Sequence, residues 1–302
     1  MIQSPLNYTG GKYKLLPQIM AHFPKDISCF VDLFCGGCNV GINVPAERIL
    51  YNDNCEPLIN LYHVMQKLDC DVFLNKVEQL IAKYNLSDVK KNGYDFYDCK
   101  SSDGLGSYNK EFYINLRSDF NKITYKNDDY YIMLYVLIVF SFNNQIRFNK
   151  NGEFNLPVGK RDFNQKMYSK VIDFITIIKQ QKALFTCRDF RNISIESLSP
   201  NDFVYADPPY LITCASYNER DGWNENDEEK LLDFLDKLTN RGIRFALSNV
   251  LESKGKENLL LKNWLQNRPT YKVFELNYTY NNSNYHRINK ENKTKEILVI
   301  NY

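Results

Sequence analysis

Short apolar runs alternate with stretches of helical period along this chain, and turn residues punctuate the joins. Residues 28–33 (Ser-Cys-Phe-Val-Asp-Leu) run apolar into a glycine turn, the pattern of a buried strand. Residues 48–51 give a second short strand ending at Asn52-Asp53-Asn54, and residues 57–80 carry helical periodicity. From about 85 to 128 the chain is polar, rich in Asn, Asp, Lys and Ser, and reads as an irregular insert. Residues 132–142 are almost wholly apolar and predict a buried helix. After them, residues 147–159 set Asn151-Gly152 between short mixed segments, a hairpin signal. Strand patterns return at 183–186, 203–206, 244–247 and 296–301. Between 226 and 238, Leu231, Leu232, Leu235 and Leu238 share one face behind an acidic first turn, an amphipathic helix. Strands alternating with helices, interrupted by a polar insert, predict an α/β sheet carrying a second module.

Composition changes this picture little. A chain of 302 residues with 44% hydrophobic and 25% charged side chains can bury a sizeable core. Aromatic content is high at 14%, with Tyr and Asn recurring as neighbours, a bias that an AT-rich genome produces by itself. The net charge of +2 hides local asymmetry. Residues 201–240 hold 3 basic and 10 acidic side chains, residues 141–170 hold 6 and 2, and residues 241–302 hold 11 and 5. Separate basic faces on a near-neutral chain suit a nucleic-acid binder with an independent pocket, and they suit ordinary solvated surface equally.

The first residues lack the charged and apolar regions of a signal peptide. The run Ile132 to Phe140 is shorter than the roughly 17–25 residues a membrane span needs. Eight scattered cysteines show no disulfide framework, so a reducing cytoplasm and no membrane are expected. Cys35-Gly36-Gly37-Cys38 is the one CxxC; it has the spacing of a redox pair, and no second pair completes a zinc site. His22, His63 and His286 lie far apart in no ligand pattern, and no metal is expected.

The most specific chemical signal is Asp207-Pro208-Pro209-Tyr210, directly after the strand pattern at 203–206. It puts a carboxylate and a rigid turn at a strand's carboxyl end, where α/β folds bind ligands. Proline fixes φ and removes N–H donors, which leaves the Asp207 and Pro208 carbonyls as fixed acceptors. A ring follows that can stack on a flat substrate. Acceptors beside a stacking ring suit an exocyclic amine: two hydrogens are held and the nitrogen lone pair is aimed. Taken alone, the same four residues are also a surface turn ending a strand.

Here the chain resembles the amino-methyltransferases, and specifically the Dam-like (D12 class) DNA adenine methyltransferases. Asp-Pro-Pro-Tyr is the signature of that group. Tyr8-Thr9-Gly10-Gly11-Lys12 is similar to its aromatic-x-Gly-Gly-Lys element, and residues 31–37 (Val-Asp-Leu-Phe-Cys-Gly-Gly) resemble its strand and glycine loop. The family usually has Gly where this chain has Cys38. The resemblance implies a Rossmann-like S-adenosylmethionine-dependent methyltransferase sheet with an inserted, mainly helical DNA-recognition module and a β-hairpin. It assigns S-adenosylmethionine contacts to Tyr8, Lys12, Asp32, Phe34, Gly36, Asp53, Asp189, Phe190 and Asp207. Asp53 is the acid for the ribose hydroxyls, about twenty residues beyond the glycine loop, and Asp189-Phe190 meets the adenine. Taken individually, Asp53 and Asp189 are as readily loop caps.

Residues 143–147 (Asn-Asn-Gln-Ile-Arg) and 152–159 (Gly-Glu-Phe-Asn-Leu-Pro-Val-Gly) match the family's DNA-contacting segment and hairpin. Gln145 and Arg147 are placed to read base edges, and Lys150, Lys160 and Arg161 to meet phosphates, with Asn155 and Pro157 in the hairpin. The domain reading that follows is 1–65 with 166–302 as the catalytic part and 66–165 as the target-recognition insert. Ser216-Tyr217 and Trp223 are either a lid or packing for the helix at 226, and Ser248-Asn249 takes a structural role.

The resulting expectation is methyl transfer to the N6 amine of adenine in duplex DNA, with Asp207, Pro208 and Tyr210 catalytic and the base flipped out of the stack. It implies a cytoplasmic protein of a bacterial or phage-infected cell, acting as a monomer, with a cognate restriction endonuclease acting separately. The rivals are N4-cytosine methylation, which more often has Ser in place of Asp207, and methylation of RNA or of a protein amide. A catalytically idle DNA-binding relative and a thiol oxidoreductase using Cys35 and Cys38 complete the set.

Overall fold

The computed structural model describes residues 1–8, 10–99, 104–213, 222–277 and 294–302. In chain order the elements begin with α1 (Leu16–Met20), β1 (Cys29–Asp32), β2 (Arg48–Asp53), α2 (Glu56–Lys67), α3 (Cys70–Lys83) and α4 (Val89–Asn92). Then come α5 (Gly106–Asn121), α6 (Asp128–Phe140), α7 (Gln165–Gln180), β3 (Ala183–Cys187), β4 (Phe203–Ala206) and α8 (Glu225–Asn240). The chain closes with β5 (Arg244–Ser253), β6 (Lys256–Glu257), α9 (Leu259–Gln266), β7 (Lys272–Leu276) and β8 (Lys295–Ile300). Contacts gather these into two compact units. One holds Met1–Gly11, Gly36–Ile42 and Cys55–Gln180, and the other Lys12–Cys35, Asn43–Asn54 and Gln181–Tyr302.

The second unit is built on the sheet, in the order β3-β2-β1-β4-β5-β8-β7, with β6 paired to the end of β5. Strands β1 to β5 are parallel, and β8 runs antiparallel between β5 and β7. The central strand β4 is buried at all four positions, as a parallel strand covered on both faces must be. On one face Val31, Leu33, Val204, Phe245, Leu247, Ile297 and Val299 pack with Leu231, Leu235 and Leu238 of α8 and Leu261 and Trp264 of α9. On the other, Phe23, Phe30, Phe203 and Tyr205 form an aromatic cluster that Tyr302 extends. Helix α8 starts on a capping box: Asn224 accepts from the Asp227 N–H and Asp227 from the Asn224 N–H.

The first unit is helical. Residues 130–140 of α6 are all buried, so this helix has no polar face and sits among α2, α3 and α5 as their common core. Its start is fixed by Asn127, whose side chain accepts from the Tyr130 N–H. No helix among the described residues is long and apolar enough to cross a membrane.

Several sequence expectations need correction. The single helix expected at 57–80 is two, because Leu68 (φ −80°, ψ 151°) is extended and Asp69 opens a new helix. Within the segment expected to be irregular, α5 spans 16 residues and buries Asn109, Tyr113, Leu116 and Phe120 on one face. The hairpin at 147–159 is held by two isolated antiparallel bridges, Ser141–Val158 and Phe148–Phe154, rather than by a continuous ladder. Helix α7, helix α9 and strand β7 were not expected at all. By contacts, helices α2 and α7 group with the helical unit.

Candidate active site

The parallel strands put their carboxyl ends on one edge of the sheet. The chain winds outward from β1 to β2 and β3, then returns to add β4 on the other side of β1, so winding reverses between β1 and β4. That reversal separates the loops after two adjacent strands and opens a crevice above their ends. Asp32 ends β1, beside Tyr51 and Tyr205; Asp53 ends β2; and Asp207 follows β4. Asn52, which sequence reasoning did not single out, ties the edge together. Its side-chain amide donates to the Leu33 and Arg188 carbonyls at 3.1 and 2.9 Å, and its own carbonyl accepts from the Cys35 N–H at 2.8 Å.

Asp207 sits in a four-group network. The Lys12 ammonium, itself 5% exposed, lies 2.9 Å from Asp207 Oδ1 and 3.5 Å from Glu296 Oε1. The Tyr210 hydroxyl shares its one proton between the same Asp207 Oδ1 at 2.8 Å and Glu296 Oε1 at 3.0 Å. The Lys12 ammonium also stands 4.9 Å from the centre of the Tyr210 ring. Burial raises the Asp207 carboxyl above the usual carboxylate range, while Lys12 and the Tyr210 hydroxyl pull it back down. Burial and the two carboxylates push the Tyr210 phenol well above its ordinary value, so it stays a donor. With Oδ1 taking both donors, Oδ2 of Asp207 accepts no hydrogen bond among the described residues. Glu296, on β8, was not foreseen. Only the antiparallel return of β8 beside β5 brings it here, and a lone Glu opening an apolar strand gives no such signal.

Beside this network, Phe34 packs against Phe190 and Trp223 at ring-centre distances of 5.4 and 5.6 Å, and Phe190 against Trp223 at 5.8 Å. Trp223 packs onto the start of α8, donating to buried Glu228 at 2.7 Å. Ser216 and Tyr217 lie outside the described residues. Both oxygens of Asp189 accept from the Arg191 guanidinium, and Oδ1 also caps the Arg191 N–H; this pairing holds its carboxyl below the usual range. Ser248 bonds the buried Tyr205 hydroxyl at 2.7 Å, and Asn249 donates to Glu228.

In the helical unit, Gly36 (φ +43°) carries the Tyr8 ring so closely that a Cβ would lie 2.9 Å from it, and the Tyr62 hydroxyl donates to the Gly36 carbonyl at 2.6 Å. Cys38 is buried with φ +59°, a left-handed conformation that favours glycine. Cys35 and Cys38 are not joined in a disulfide.

The hairpin hangs on α5. Tyr113 and Arg117 donate to the Leu156 carbonyl at 3.1 and 2.7 Å, and the Asn121 side chain brackets Phe154 through both its N–H and its carbonyl. Gly159 lies against the Ser141 backbone so tightly that a Cβ would meet its carbonyl at 2.3 Å. Arg147 is exposed and donates to the Asn155 side chain at 2.7 Å and to the Asn155 carbonyl at 3.3 Å. Lys150, Pro157, Lys160 and Arg161 are exposed and Gln145 is half-buried.

A mostly parallel sheet with an acid at each of several strand ends and Asp-Pro-Pro-Tyr beside the winding reversal is the architecture of a Rossmann-like methyltransferase. The model of the D12 class N6 adenine-specific DNA methyltransferase family matches residues 8–282, and the chain belongs to that family. It is 39% identical to the modification methylase StsI of Streptococcus sanguinis and 38% identical to the type II methyltransferase M.FokI of Planomicrobium okeanokoites. Each alignment covers 100% of this chain and 43% of the relative. The type II methyltransferase M.MjaIII of Methanocaldococcus jannaschii is 30% identical over 81% of this chain and 83% of its own length. The chain therefore spans less than half the length of the two most similar of these proteins.

Proposed function

We propose that the chain transfers a methyl group from S-adenosylmethionine to the N6 amine of adenine in duplex DNA, as the modification half of a restriction–modification system. The observation that carries this reading is Asp207 beside the β1/β4 reversal, with Oδ1 held by Lys12 and Tyr210 and Oδ2 left to accept. N4-cytosine methylation remains the rival chemistry and is an outcome of the same test.

The residues present fit the cofactor. Asp53 supplies a carboxylate at a strand end for paired hydroxyls, Phe34 and Phe190 supply ring faces for a purine, and Asp32 ends the strand that leads into the glycine loop. Asp189 is left to position the Phe190 turn through Arg191. Tyr8 and Gly36, which the family resemblance adds, pack on each other in the helical unit.

S-adenosylmethionine supplies an electrophilic sulfonium methyl when bound. Asp207 Oδ2 and the Pro208 carbonyl hold the two hydrogens of the adenine amine, which aims the nitrogen lone pair. Lys12 opposes the burial that favours the neutral form of Asp207 and so supports its role as an acceptor. Asp207 is also placed to hold the proton the amine loses on alkylation. Tyr210, its hydroxyl tethered to Asp207 and Glu296, presents its ring at a fixed angle for a flipped base. Flipping costs a few kcal/mol, which DNA contacts at Gln145, Arg147, Lys150, Asn155, Pro157, Lys160 and Arg161 offset. Residues 66–165 act as the target-recognition region.

Incubation with S-adenosylmethionine and unmethylated DNA, followed by mass spectrometry of the nucleosides, tests this. N6-methyladenine supports it, and N4-methylcytosine or no modified base contradicts it.

A further inference from the structure

The function above leaves unused a cavity of about 140 Å³ in the helical unit, at the start of α7. We infer that this cavity is an oxyanion site that takes a phosphate group, inorganic or of a nucleic-acid backbone, with Lys170 as its inner cation. Gln3, Asn7, Asn144, Arg161, Lys166 and Lys170 line it.

Lys170 is the decisive residue. It is 8% exposed, and its ammonium makes no hydrogen bond or ion pair among the described residues. Buried lysines are ordinarily paired, because an unpaired charge away from water is costly. Its neighbours make matters worse: burial together with Lys166 and Arg161 lowers the Lys170 ammonium to about 8. Three cations thus converge on one cavity, which excludes a metal ion as the occupant and calls for an anion.

No carboxylate among the described residues forms an ion pair with these cations. Asp162 lines the cavity too, but its Oδ2 accepts from the Val89 N–H at 2.8 Å and it forms no ion pair with any of the three cations. Asn7 donates to the Asn144 side-chain carbonyl at 2.8 Å, and the Asn144 amide donates onward to the Ile138 and Val139 carbonyls, which fixes both side chains at the cavity wall. Helix α7 contributes its amino end, where the Asn164 side chain accepts from the Met167 N–H, and the helix dipole there favours an anion. The volume leaves room for a phosphate group together with water.

Two measurements on the whole chain test the site. The first is thermal denaturation against inorganic phosphate at constant ionic strength. Phosphate is expected to raise the midpoint saturably in the unaltered protein and to leave Lys170→Met unmoved. The second is duplex DNA binding by fluorescence anisotropy across a salt series; this arm alone rests on the DNA-methylating reading. A backbone phosphate in the cavity predicts roughly tenfold weaker binding by Lys170→Met on every sequence, with the salt slope reduced by about 0.9. Unchanged DNA binding with the phosphate response lost assigns the site to a free anion. The variant Lys166→Gln alters an exposed side chain that lines the cavity and is none of the proposed DNA contacts, and it gives the same readouts should Lys170→Met not fold. Absence of any phosphate response, with DNA affinity unchanged in both variants, overturns the proposal. Loss of methylation with these responses intact overturns the proposed function and leaves this site standing.

Discussion

The Lys12 ammonium lies 2.9 Å from Oδ1 of Asp207, and both groups are largely withdrawn from solvent. Burial alone favours a neutral Asp207, and Lys12 is the strongest force opposing it. Replacing Lys12 with Met therefore raises the Asp207 carboxyl further. The expected result is a methylation rate reduced roughly 100-fold, with the acid limb of the pH–rate profile moved to higher pH. DNA binding should change little, and a pH profile measured under single-turnover conditions checks the shift.

Asn121 holds the hairpin through both ends of its amide, at the Phe154 N–H and carbonyl. Asn121→Ala leaves that pair of backbone groups without partners, which costs about 1–3 kcal/mol locally. DNA affinity is expected to fall while cofactor affinity holds, as read by anisotropy and by calorimetric titration with S-adenosylmethionine. Equal loss of both would show that α5 does not act through the hairpin.

Cys38 occupies a left-handed conformation that costs a side-chain residue about 1–2 kcal/mol. Ala keeps this strain and loses the buried sulfur, whereas Gly loses the sulfur but relieves the strain. Cys38→Gly is therefore expected to be at least as stable as Cys38→Ala, the reverse of the usual order, by about 1 kcal/mol in denaturant unfolding.

The acid strand ends were legible because each rests on a local signal: an apolar run, then Asp53 or Asp207 where the run stops. Asp-Pro-Pro-Tyr was legible because four residues in sequence carry the geometry. Glu296 was not, since β8 reaches the site only by returning antiparallel between β5 and β7. Helix α5 was hidden because Lys110, Glu111, Arg117 and Asp119 interleave its buried stripe, so its composition reads as loop. The break at Leu68 was hidden because apolar spacing continues across it while the backbone does not. Met167, Val171, Phe174 and Ile178 of α7 did carry a helical stripe, yet the turn signals of the preceding hairpin drew the reading away.

Asp162 offers a stability test. Burial, with Asp88 adding to it, raises its carboxyl to about 6 while the Val89 N–H donates to it. Arg161, Lys166 and Lys170 line the same cavity from the neighbouring positions. In the folded chain this group keeps its proton between about pH 4 and 6, where the unfolded chain has lost it. Its contribution is therefore fully present below pH 4 and is lost as pH rises through 6. The amount is on the order of 3 kcal/mol. Asp162→Asn, which keeps an acceptor for Val89, should flatten this part of the stability–pH curve measured by urea unfolding; an unchanged slope would place the titration elsewhere.

The central claim is that Asp207 performs the transfer to adenine. The direct measurement is single-turnover methylation of duplex DNA by the unaltered chain and by Asp207→Ala, with product nucleosides read by mass spectrometry and cofactor binding measured in parallel. The predicted result is N6-methyladenine from the unaltered chain and a rate at least roughly 100-fold lower in the variant, which still binds DNA. N4-methylcytosine as the product, or an undiminished rate in Asp207→Ala, would contradict it.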